Sequence, residues 1–186
     1  MSTAPAAPVF SPEDLVRELD ARRQTDGCSV ALANGCFDLL HPGHLSFLEG
    51  AAQEADVLVV GINADETVRD LKGPGRPVMP AAERARLVAA LRVVDYATVF
   101  VEPTADRLIE LLRPDVHCKG TDYTDGVPEQ ETARRVGARI ALVGGPKSHN
   151  TSDILDDIRG DDAGSNDLES DSAGGTAGGD NAGGDN

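Results

Sequence analysis

The chain has 186 residues, with 17 Lys and Arg against 32 Asp and Glu, for a formal net charge of −15. That length suits one domain, or one domain with a tail, and the acidic balance argues against a broad nucleic-acid surface, which needs clustered Lys and Arg. No apolar run approaches the roughly 18 residues of a membrane span. The opening MSTAPAAPVF lacks the basic and apolar regions of a signal peptide, and Cys28, Cys36 and Cys118 form no CxxC pair, so a cytoplasmic protein is expected.

In chain order, residues 1–10 carry Pro5 and Pro8 and read as a flexible N-terminus. Ser11 is a good N-cap, Pro12 suits a first helical turn and Glu13 and Asp14 suit the positive helix end, which predicts a helix to about Arg23. After Gly27, residues Ser29 to Ala33 read as a short strand. A helix follows from Gly43 or His44 to about Ala55. Val57 to Ile62 is an unbroken β-rich run, the pattern of a strand buried on both faces. Pro80 opens a helix expected to turn Leu87, Val88 and Leu91 inward. Tyr96 to Val101 is the next strand. Thr104 caps a helix through Leu112, and Val116 to Cys118 is a short strand. A helix from about Pro128 ends at Gly137, Arg139 to Val143 is the fifth strand, and Thr151 starts a last helix to about Ile158.

Strands alternating with helices predict an α/β fold, a five-stranded parallel sheet covered on both faces, over residues 11–159. Ligands of such sheets sit beyond the carboxyl ends of the strands, where strand order reverses. Residues 160–186 differ in kind: eight of 27 are Gly, seven are acidic and none is basic. That segment cannot bury enough apolar surface to offset its ordering entropy and reads as a disordered acidic tail. It is either an inert solubiliser or a lure for a basic partner.

The exit of the first strand is the most informative stretch: Asn34-Gly35-Cys36-Phe37-Asp38-Leu39-Leu40-His41-Pro42-Gly43-His44. Gly35 permits a sharp turn, and Gly43 clears the start of a helix whose unpaired N–H groups and dipole suit a phosphate. His41 and His44, three apart, can share one side of that turn and donate hydrogen bonds to a polyphosphate. Such donors stabilise charge that builds on phosphorus in a transition state. A zinc pair with Asp38, or a capping or core role, remains the alternative on these residues alone.

The pattern Gly35-x-Phe37-Asp38-x-x-His41-x-Gly43-His44 resembles the signature of the cytidylyltransferase-like nucleotidyltransferases. The resemblance implies a Rossmann-like three-layer sandwich and transfer of a nucleoside monophosphate from a triphosphate to a phosphorylated small molecule. From Ser29 to Ile158 the chain is most similar to the heptose 1-phosphate adenylyltransferase branch, which acts alone or as the C-terminal half of bifunctional enzymes making ADP-heptose. The branch-specific pieces are Leu71-Lys72-Gly73-x-x-Arg76-Pro77-Val78 and Lys119-Gly120-x-Asp122-Tyr123. They imply ATP and heptose 1-phosphate as substrates, magnesium with the ATP, a possible homodimer, and a sugar kinase on a separate chain. No nucleic acid, membrane or resident metal is expected.

On that resemblance His41, His44 and Lys72 are the catalytic candidates. Asn34, Gly35, Cys36, Phe37, Gly43, Lys119, Asn150, Thr151 and Ser152 join the two histidines as nucleotide-binding candidates. Asp38, Asn63, Asp65, Lys72, Arg84, Asp122 and Tyr123 are the acceptor-binding candidates. Arg84 lies early in a helix, where a cation opposes the dipole, so a phosphate partner or a salt bridge is expected. Asp65 either meets substrate or caps a turn. Asp38 orients a histidine, sits near magnesium or shapes the loop. Cys36 and Cys118 read as small fillers, not nucleophiles. Asn150-Thr151-Ser152 departs from the Ser-Thr-Thr usual in the family. The rival readings are a cytidylyltransferase for glycerol 3-phosphate or another polyol phosphate, a nucleotide-binding regulator without catalysis, and a scaffold that works through its tail.

Overall fold

The computed structural model describes residues 6–123 and 126–145. Within them, strands β1 (Val9–Phe10), β2 (Val30–Gly35), β3 (Val57–Asn63), β4 (Tyr96–Phe100), β5 (Val116–Gly120) and β6 (Arg139–Val143) alternate with helices. The helices are α1 (Pro12–Asp26), α2 (Pro42–Ala52), α3 (Asp65–Lys72), α4 (Ala81–Ala89), α5 (Asp106–Leu112) and α6 (Gln130–Val136). The strands form a parallel sheet in the order β1-β4-β3-β2-β5-β6. From β2 the chain steps outward through β3 and β4, then returns to place β5 on the other side of β2. The order therefore reverses between β2 and β5, and the crevice beyond their carboxyl ends is the ligand position of this architecture.

Two apolar layers sandwich the sheet. One packs Ala31, Ala33, Val60, Ile62, Val116 and Cys118 against α2 and α4. The other packs Val30, Leu32, Val57, Val59 and Phe100 against Leu15 and Leu19 of α1 and Leu108, Ile109 and Leu112 of α5. The α/β reading holds, with one strand more than expected. The sixth is β1: Val9 and Phe10 pair with Ala97 and Thr98, and the Ala7 N–H reaches the Ala89 carbonyl at 2.8 Å. Residues 7–10, expected to be loose, are thus fixed by backbone bonds that leave no mark on composition. Two residues are too few for an apolar period.

The caps follow the sequence. The Ser11 hydroxyl accepts from the Asp14 N–H at 3.1 Å, and Gly27, at φ 64°, closes α1 three residues beyond the expected Arg23. Helix α3 was not expected; its acids at the start and Arg69 and Lys72 at the end fit the dipole, but only Thr67 and Val68 are buried, too few for a clear stripe. In α4 the phase also differs. Leu87 is 43% exposed, while Arg84, Ala85, Val88 and Ala89 face the core. Strand β5 runs two residues past Cys118, which keeps Lys119 inside the sheet. The expected helix from Thr151, the domain end at 159 and the acidic tail at 160–186 lie outside the described residues. Among the described residues no helix is long and apolar enough to cross a membrane.

Candidate functional site

The loop from β2 to α2 fills the β2 side of the crevice. Pro42 takes the first position of α2, the place where its missing N–H costs nothing, and His41 is the N-cap residue in extended backbone. The helix thus starts one or two residues earlier than expected, and His41 and His44 stand a turn apart. Their rings stack, with centroids 3.7 Å apart and planes 26° apart. His41 makes no side-chain capping bond to the helix; its carbonyl accepts the His44 and Leu45 N–H groups at 3.0 and 3.3 Å and so closes the first turn.

Phe37 sets this pair from behind. It is buried, lies 5.3 Å from the His44 ring and 6.4 Å from Phe47, and adopts a left-handed φ of 48°. Gly35 is needed for it: a Cβ there would come 3.3 Å from the Phe37 ring. Leu39 is left-handed as well, at φ 47°. Two such residues without glycine's freedom, flanking Asp38, mark a loop held in shape by its surroundings.

Asp38 does much of that holding. Its buried carboxylate accepts the Val78 N–H at 2.9 Å, the Met79 N–H at 3.1 Å and the Arg76 guanidinium at 3.4 Å. It ties the histidine turn to the segment following α3. This is the loop-shaping alternative for Asp38; its carboxylate faces the protein, where an acceptor contact had been expected.

Arg84 requires the larger correction. It has no accessible surface, and its guanidinium donates to the carbonyls of Met79 at 2.9 Å, Cys36 at close range and Asn63 at 2.8 Å, and to the Asp65 carboxylate at 2.7 Å. Expected at a phosphate, it instead joins the ends of β2 and β3 to α4. Asp65 also accepts the Ala81 N–H at 2.8 Å, so it caps α4 at a distance and braces Arg84. Asn63 is buried beside them.

On the β5 side, Lys119 is buried and pairs with Glu129 at 3.0 Å, its ammonium 5.0 Å from the Tyr123 ring centre. It is not the open cation its place after a strand had implied, because burial and Glu129 hold it in place at the strand end. Glu129, at the start of α6, also accepts the Ala105 N–H at 3.2 Å and faces buried His117 at 3.6 Å. Burial alone would raise its carboxyl, but His117, Lys119 and the Ala105 N–H outweigh this and bring it down to about 2. Burial raises the Tyr123 phenol, aided by the charges of Glu129 and Asp122. Tyr123 and Asp122 are exposed at the strand end.

Cys36 lies between the two sides. Burial raises its thiol against the pull of Lys72 and Arg84, and burial pushes Cys118 up to about 12. Neither is a thiolate at neutral pH, in keeping with the filler reading. Lys72 ends α3, not a loop, and is exposed with no ion pair among the described residues. Arg76, Arg84 and Lys119 each face a carboxylate, whereas Lys72 makes no such pair among the described residues. Asn150, Thr151 and Ser152 fall outside the described residues. Glu129, His117 and Arg76 are the polar residues of this region that received no role from the sequence. The burial of a charged pair is set by tertiary contact and has no local signal.

The turn after β2, with its two stacked imidazoles at the start of α2, stands beside the point where the order of the parallel sheet reverses. Residues 32–160 match the cytidylyltransferase-like family. The chain belongs to that family and is a nucleotidyltransferase enzyme. It is 43% identical over 146 residues to the bifunctional protein HldE of Geobacter sulfurreducens, covering 78% of this chain and 30% of that protein. To HldE of Bradyrhizobium sp. it is 44% identical over 139 residues, covering 74% of this chain and 28% of that protein. The chain thus spans about a third of the length of these relatives. Among solved structures, a lipopolysaccharide core biosynthesis protein from Thermoplasma volcanium aligns with a TM-score of 0.56 and 26% identity, over 65% of this chain and all of that one. A pantoate-beta-alanine ligase from Francisella tularensis shares the fold, with a TM-score of 0.53 and 15% identity over 79% of this chain and 69% of that one.

Proposed function

We propose that this chain transfers AMP from ATP to a sugar 1-phosphate, heptose 1-phosphate in the first instance, giving an ADP-sugar and pyrophosphate. The observation that carries the reading is the His41–His44 stack at the start of α2, at the reversal between β2 and β5. The branch-specific segments Leu71 to Val78 and Lys119 to Tyr123, which converge on this edge of the sheet, support the choice of ATP and heptose phosphate, as does the likeness to HldE.

In this reading the triphosphate lies over the helix start, where the positive end of the α2 dipole and the two imidazoles attract it. An oxygen of the sugar phosphate attacks the α-phosphorus in line. The new P–O bond forms as the bond from the α-phosphorus to the bridging oxygen breaks, and pyrophosphate leaves with that electron pair. A phosphate oxygen is already anionic at neutral pH, so no general base is required, and catalysis is positioning plus charge stabilisation. Lys72 supplies the mobile charge for the acceptor phosphate or the α-phosphate. Asp38 and Arg84 hold the two loops that aim these groups, and Thr151 and Ser152 add hydroxyl contacts to the phosphates.

Asp38 and Asp65 are spent on N–H groups and arginines, and among the described residues no group of three His, Cys, Asp or Glu is placed to hold a metal. A divalent ion, magnesium in this proposal, enters as part of the substrate, MgATP, held by phosphate oxygens and water. A sugar kinase must supply the 1-phosphate. The chain works in the cytoplasm, where both substrates occur, and pairs as a homodimer.

The test is a pyrophosphate-release screen crossing four nucleoside triphosphates with sugar and polyol phosphates. Release with ATP and heptose 1-phosphate is expected. Preference for CTP and glycerol 3-phosphate would move the chain to the cytidylyltransferase reading. ATP binding with no release under any acceptor would leave a nucleotide-binding regulator.

A further inference from the structure

Three ionisable side chains, His117, Lys119 and Glu129, are each at most 4% exposed on the α5–α6 side of β5, and the reaction above gives Glu129 and His117 nothing to do. A buried ion pair is poor evidence of a stability device, because well-packed apolar residues serve as well or better. This pair stands at the ligand edge of the sheet. Ala33 pairs with Cys118, so Asn34 of β2 comes beside Lys119 of β5 at the strand ends. The Asn34 Oδ1 is buried there with no hydrogen-bond partner among the described residues, an acceptor that a ligand donor would satisfy. An ammonium carries three N–H groups. Glu129 takes one at 3.0 Å, and the Tyr123 ring lies against the cation at 5.0 Å.

We propose that Glu129 is a positioning residue for the nucleotide: it clamps Lys119 in one orientation beside Asn34 and Tyr123, so that Lys119 meets ATP as a fixed donor. This rests on the ATP reading and extends it to a residue two elements away from the histidine turn. Without the carboxylate, a buried ammonium either loses its proton or swings out to water, and in both cases the fixed donor is gone. The Ala105 N–H, which binds the same carboxylate oxygen, fixes Glu129 in turn from the start of α5.

The experiment measures the Kd of MgATP by titration calorimetry and the KM of the acceptor for the full chain, Glu129→Gln and the double variant Lys119→Met/Glu129→Gln. The expected result for Glu129→Gln is a Kd for MgATP raised about tenfold or more, with the acceptor KM within about threefold. The double variant leaves no charge stranded in the interior, so it folds even where the single one fails, and the same weakened ATP binding is expected. A double variant that binds MgATP within twofold of the unaltered chain overturns the proposal and makes the pair purely structural. An unaltered chain that binds ATP but releases no pyrophosphate sinks the transferase reading while this comparison stands. An unaltered chain that does not bind ATP overturns both.

Discussion

The imidazole of His44 stacks on that of His41, with ring centres 3.7 Å apart, and lies tilted against the Phe37 ring at 5.3 Å. Contact with both rings leaves it little freedom to turn. Such preorganisation matters most for a donor that must meet charge as it develops. In His44→Ala the transfer rate is expected to fall about 10²–10³-fold, the usual effect of removing one such donor. Thermal unfolding of the same variant should stay close to that of the parent, because His44 is only half-buried. Steady-state pyrophosphate release alongside a melting curve checks both, and unchanged turnover would remove His44 from the mechanism.

Lys72 ends α3 in the open, so its replacement tests chemistry with little interference from folding. Lys72→Ala should leave stability within about 0.5 kcal/mol, as for surface sites generally. The same change should reduce kcat/KM for the sugar phosphate by about tenfold or more, with weaker salt dependence in what remains. Equal salt slopes for parent and variant would place Lys72 outside the field of the acceptor.

Arg84 predicts the reverse pattern. Its guanidinium satisfies three carbonyls and Asp65 with no access to water. Arg84→Met leaves three carbonyls around a buried side chain without their donor and should cost about 3 kcal/mol or more in urea unfolding, at about 1–3 kcal/mol for each unsatisfied group. Lysine cannot restore it, since a single ammonium has neither the reach nor the planar fork to meet four acceptors on three elements. A stable Arg84→Lys variant with weak acceptor binding would instead return Arg84 to the substrate.

Glu129 gives the chain an acid limit. Its folded-state carboxyl, brought to about 2, lies below its ordinary value of 4.5. A lowered carboxyl contributes stability that is present above the ordinary value and is lost as pH falls through the folded one. Urea unfolding between pH 5 and pH 2 should therefore show a loss in the parent that is shallower in Glu129→Gln, which has no proton to take up. Parallel curves would mean that the carboxylate is not held in its charged form.

The site was legible where function is written in consecutive residues. The turn from Asn34 to His44, with its two histidines at the start of α2, is read from its glycines and its Pro42 because a tight turn needs only a few residues of local chain. Arg84 shows the opposite case. By sequence it is one charged residue early in a helix, so hydrophobic phase assigned the inward face to Leu87. In the fold, the carbonyls at the ends of β2 and β3 gather around it, and those come from residues 20 to 50 positions away. Glu129 gave no local sign either, since its partners lie on β5 and before α5.

By itself, then, the order of residues determined the alternation of strands and helices, the parallel sheet and the glycine-opened turn that carries the two histidines. Each depends on periodicity or spacing within about a dozen neighbours. The tertiary structure decided which cations stay free. Arg76, Arg84 and Lys119 are matched by carboxylates that the fold brings alongside, while Lys72 has no such match among the described residues. A charge is available to a ligand only after burial and pairing have been settled, and both are properties of the packed chain.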